Sequence, residues 1–158
     1  VWQRVNQSLS SRCDMTDLRM GGQGKRELWE MKARDLKPLI GALWGEELRA
    51  YELWGYLDSS LLLGNLSGTL GAFPLTSLLS YDVIHPWAGH AVWAPLSLFH
   101  RRRASRLALH SPQLCWRLSQ PSYQSFDTHG FSAILAKLQA SGRVRVLAGG
   151  EGSSGLHV

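Results

Sequence analysis

The chain reads as a mainly α protein: a small single-domain helical bundle with at most one marginal C-terminal strand and loosely ordered termini. Three observations predict it. Of 158 residues, 27 are Leu against 3 Ile and 7 Val, and β-branched side chains are the ones that fit a pleated surface. From Leu36 the apolar residues Ile40, Leu43, Trp44, Leu48, Tyr51, Trp54, Leu57 and Leu61 recur at steps of three and four, the period of an amphipathic helix. Phe131, Ile134, Leu135 and Leu138 fall at i, i+3, i+4 and i+7, and Gly142 follows as a left-handed stop.

Taken in order, residues 1–24 lack sustained periodicity and contain Gly21-Gly22-Gln23-Gly24, so they read as a flexible arm. A helical domain spans 25–147. Leu28, Met31 and Leu36 open it on one helix face, with Glu30 four residues ahead of Arg34 as a small ion-pair term. Pro38 ends that helix and begins a second, because proline disfavours the α conformation just before it and is welcome in a first turn. The second helix, 38–63, runs into a central segment, 59–100, in which Asp82 is the only residue with a full charge. Residues 81–95 read as irregular around His85-Pro86-Trp87-Ala88-Gly89. A third helix is expected from Pro95 through Leu109, limited by Pro112, and 111–126 reads as a linker of Ser, Pro, Gln and Tyr. Asp127 or Thr128 is placed to cap the helix containing Phe131. The alternation over 143–147 gives a short strand whose one weak partner is 1–5, and 148–158 is a Gly/Ser-rich tail.

Charge narrows the function. Residues 1–58 carry nine basic and nine acidic side chains, while 101–158 carry eight basic against two acidic, so the net +5 belongs to the C-terminal part. Arg101, Arg102, Arg103 and Arg106 form its densest cluster and are the candidate phosphate contacts, toward nucleic acid or an anionic membrane surface. Arg102-Arg103-Ala104-Ser105 resembles the substrate consensus of basophilic protein kinases, which makes Ser105 a candidate phosphorylation site. The reading is a non-enzymatic interaction protein, with a protein partner packing on the 38–63 helix and the uncharged middle. No cofactor, metal ion or small-molecule substrate is implied.

Three alternatives stand beside it. An integral membrane protein would span near 60–80, where 59–81 is uncharged and Gly64 and Gly68 give a small-xxx-small spacing; Asn65 and Pro74 argue against it, and protein burial of that stretch is the expectation. A hydrolase would use His129 beside Asp127, with Ser125, Ser132 or Cys115 as nucleophile. The third alternative is a fragment without selected function. Cys13 and Cys115 are too far apart in sequence for a close-spaced metal motif, and a disulfide between them stays open. With no signal peptide to read, an intracellular setting is preferred. Gly21 to Lys25 departs from a phosphate-cradling loop, because Arg26 stands where Ser or Thr is needed. Its Gly21-Gly22-Gln23 resembles the GGQ of translation release factors over three residues; the loop reading is kept for it.

Overall fold

A computed structural model describes residues 2–13, 33–57, 65, 74–85, 96–120, 122 and 124–148. It corrects the expected helical bundle: short helices pack against a four-stranded mixed sheet.

The chain opens with α1, Trp2–Leu9, where an arm was expected. Val5, Leu9 and Cys13 recur at steps of four and are buried, and this stripe is what seats the segment on the core. A 3-10 turn, Lys37–Leu39, with Pro38 in its first turn, leads into α2, Ile40–Leu43. The long helix expected over 38–63 stops there. Trp44 leaves the helical region at φ −120°, ψ 32°, turns follow over 45–50, and Leu53–Leu57 is strand β1.

After β1 come α3, Leu75–Leu78; β2, Val83–His85; and β3, Leu96–His100. Part of the helix expected over 95–109 is therefore strand. Only its second half is helical, as α4, Arg101–Ala104, and a 3-10 turn, Leu107–His110. The expected linker contains α5, Leu114–Ser119, anchored by buried Leu114 and Leu118. A π turn, Phe126–Gly130, precedes α6, Phe131–Ala140, which forms where its spacing predicted and buries Phe131, Leu135 and Leu138. Gly142 takes φ +69° just past its end. Neither Asp127 nor Thr128 caps α6, since Asp127 lies inside the π turn and is buried. Strand β4, Val146–Ala148, starts three residues beyond the expected start at 143.

The sheet order is β1-β3-β2-β4. β3 runs antiparallel to β1 and β2, and β4 runs parallel to β2, so its partner is β2 and not the expected 1–5, of which residues 2–5 are in α1. Trp54 and Tyr56 of β1, Ser97 and Phe99 of β3, and Val83 and His85 of β2 share the core face, as direct register and the period of two require. Phe99 stands at its centre. Its ring is stacked on Trp54 at 4.6 Å, and Tyr56 and Phe131 lie at 5.5 and 6.0 Å, which brings α6 onto the sheet. Gly41 of α2 packs on the same Trp54 from the other side, where an added Cβ would come within 2.6 Å of the indole.

Two further links close the core. Cys13 and Cys115 form a disulfide, which ties the turn after α1 to α5 and settles the open pairing. Buried Asp35 accepts the N–H of Gln124 at 2.9 Å and of Phe126 at 2.6 Å, holding Ser125 at φ +50° between them. A carboxylate taking two backbone donors is a favourable way to bury a charge.

Among the described residues, no helix is long and apolar enough to cross a membrane. Most of 59–81, the glycines at 21–24 and the tail from 149 lie outside the described residues.

Candidate phosphate-contact turn

The arginine cluster sits where β3 ends and α4 begins. Two backbone bonds fix this junction: His100 N–H donates to Asp82 O, and Arg101 N–H to Glu52 O, each at 2.8 Å. Buried Ala104, Leu107 and Ala108 fasten the following residues to the core. The backbone is thus placed rigidly, and the four arginines have different fates.

Arg103 is partly exposed but commits its guanidinium to the fold. Its Nε pairs with Asp82 Oδ1, and its Nη2 donates to Leu79 O at 2.7 Å and Tyr81 O at 2.9 Å. Asp82 is buried; its Oδ2 accepts from Arg145 N–H at 2.8 Å, and its own N–H donates to Arg145 O at 2.8 Å. Arg103 and Asp82 therefore join α4, the end of α3, and the approach to β4. Arg101 donates Nε to Tyr51 O at 2.8 Å, which leaves its Nη groups without a partner among the described residues. Arg102 is exposed, 3.9 Å from the exposed Glu52 carboxylate, a separation that holds neither side chain firmly. Arg106 is exposed, and its side chain has no hydrogen bond or ion pair among the described residues.

Ser105 lies on the inner side. It is 8% exposed, and its Oγ accepts from Trp54 Nε1 at 3.0 Å. A kinase reaches this hydroxyl only if the turn lifts off Trp54.

His100 is buried beneath the turn, with Nδ1 lacking a partner among the described residues. Burial lowers its pKa below the ordinary imidazole value, Arg103 and Arg102 push in the same direction, and Glu52 and Asp82 oppose them.

A second set of polar groups lies under the opposite end of the sheet. Tyr56 shares a hydrogen bond with Ser97, its cross-strand partner, and feels the charge of Asp127. Burial above all, and that charge as well, raise the Tyr56 pKa far above the ordinary phenol range. Continuing the printed β2–β3 register puts His85 opposite Ser97. Ser97, His85 and Asp127 are all buried, so this set braces the sheet and offers no open face to a substrate. Three of the residues weighed for a hydrolase have these places. Asp127 is buried, His129 is exposed with Nδ1 3.4 Å from Thr128 Oγ1, and Cys115 is in the disulfide. Among the described residues, no group of three or more His, Cys, Asp or Glu is placed to hold a metal ion.

The reading from sequence missed Tyr51. The helical period places it on the apolar face of the 38–63 helix, yet it is 61% exposed and its carbonyl is bound by Arg101. The signal that could have found it is the run Tyr51, Trp54, Tyr56, whose last two members alternate in a strand and leave the first outside.

No family model matches this chain, and neither a curated protein nor a solved structure matches it.

Proposed function

We propose that the protein is a non-enzymatic binding protein that contacts phosphate groups through the exposed arginines of the 101–106 turn. The observation that carries this reading is the division of labour within the cluster. Arg103 commits its guanidinium to Asp82, Leu79 and Tyr81, and so anchors a turn from which Arg102 and Arg106 extend into solvent. Planar guanidinium groups on a fixed backbone suit bidentate contact with phosphate oxygens. Arg101 contributes its remaining Nη groups from the side. A protein partner belongs to the same proposal, and Trp116 of α5 and Leu75 of α3 are among the large exposed apolar side chains of the described residues available to it. Phosphate on Ser105 would act by dislodging the turn from Trp54 rather than by neutralising surface charge.

The test is the salt dependence of binding to an RNA oligonucleotide and to vesicles containing phosphatidylserine. Replacing Arg102 and Arg106 together by Gln removes two contacts, so the slope of log affinity against log salt falls by about 1.4 to 1.8. A double variant with the wild-type slope on both probes would remove phosphate binding from this turn.

A further inference from the structure

We infer that this turn takes single-stranded nucleic acid, with Tyr51 as the platform on which a base stacks while Arg101 and Arg102 hold the flanking phosphates. The inference rests on the phosphate-contact reading above and names its ligand class. Three observations carry it. Tyr51 is 61% exposed, so a large aromatic face is open to solvent. Its backbone is locked to the basic turn at two adjoining points, Arg101 Nε to Tyr51 O and Arg101 N–H to Glu52 O, both at 2.8 Å. The residue that follows Arg101 is Arg102, exposed and only loosely opposed by Glu52.

An exposed aromatic ring costs apolar surface in water, and a neighbouring cation does not cover it here. No ring contact or cation–π pair involves Tyr51 among the described residues, although Trp44 and Tyr56 each have one. Unpaired bases present a π face and a phosphate one backbone unit away, and an exposed ring on the residue whose carbonyl binds Arg101, in a segment joined to the basic turn, can complement both. Duplex ends its bases inside a stack, and phospholipid headgroups have no aromatic face, so neither would use the ring. Glu52 is the opposing charge. It lies beside Arg102 and should repel the same phosphates that Arg101 and Arg102 attract.

The experiment measures binding of a fluorescent 12-mer oligouridylate, its oligothymidylate equivalent, a 12-base-pair duplex, and phosphatidylserine vesicles at one salt concentration. Tyr51→Ala should weaken both single strands roughly 5- to 100-fold, the range expected for losing one stacked base. Tyr51→Trp should retain their affinity, and Glu52→Gln should raise it. Duplex and vesicle binding should not change with Tyr51→Ala, and an unaltered thermal melt checks that the variant is folded. Preference for oligouridylate or oligothymidylate identifies RNA or DNA as the source of the strand. Equal affinity of wild type and Tyr51→Ala for single strands would overturn the inference while leaving the arginine reading intact. So would vesicle binding by a wild-type protein that ignores oligonucleotides. Wild-type protein that binds none of the four probes would sink both.

Discussion

His100 is the residue at which the environment of the arginine turn has a measurable consequence for stability. Its pKa is lowered in the folded chain, by burial first and then by Arg103. The unfolded chain, with an ordinary imidazole of pKa about 6.5, therefore binds the proton first as pH falls. The contribution is fully present above about pH 7 and is lost progressively as pH drops through 6.5 toward the lower folded value. Urea melts at pH 7.5 and pH 5.5 should show lower stability at the acidic value, and His100→Gln should reduce that difference. A pH dependence that is the same in wild type and variant would place the titrating group elsewhere.

At the scale of elements, the contact between α2 and β1 is tight enough for a single added atom to report. Gly41 lies against Trp54 and Ser105, and an added Cβ would fall 2.5 Å from Ser105 Oγ and 2.6 Å from the indole. Both of these are themselves held, since Trp54 is stacked on Phe99 and its Nε1 donates to Ser105 Oγ. The neighbours cannot yield without disturbing the sheet face or the arginine turn. Overpacking of this kind costs about 1 to 3 kcal/mol, so Gly41→Ala should lower the urea midpoint by a corresponding amount. Ala at the exposed Gly142, where open space surrounds the added atom, would instead report only the strain of its positive φ. Comparing the two variants separates packing from backbone conformation.

For the whole molecule, the Cys13–Cys115 disulfide closes a loop of 102 residues that contains β1, β2, β3 and the arginine turn. Cross-linking over so long a loop restricts the unfolded chain, with stabilisation of typically 2–4 kcal/mol. Reduction by a phosphine should lower the thermal midpoint by several degrees, and the Cys13→Ser, Cys115→Ser double variant should match the reduced protein. The native protein should expose no thiol to a colorimetric reagent until it is reduced. Immediate titration of two thiols in the untreated protein would show that the bridge does not form.

What the sequence by itself determined is local. The α6 helix and its left-handed stop at Gly142 depend on neighbours within ten residues, whose spacing and backbone preferences are written consecutively. The turn at Pro38 was legible for the same reason. The concentration of arginine at 101–106 was also plain, because composition needs no fold. Tertiary structure decided the rest. The segment from Leu53 to Leu57 fits a helical period through Trp54 and Leu57 and a strand period through Trp54 and Tyr56. Pairing with Leu96–His100, roughly forty residues away, resolves that ambiguity, since it satisfies the facing backbone edges of both strands and buries Trp54 and Tyr56 beside Phe99. The same pairing brings Tyr51 to Arg101, and the Asp82 carboxylate engages the Arg103 guanidinium while Arg102 and Arg106 extend into water. Four arginines that are equivalent in sequence become unequal because the buried carboxylate of Asp82, just before β2, must be paired, and among the described residues the guanidinium that pairs with it is that of Arg103.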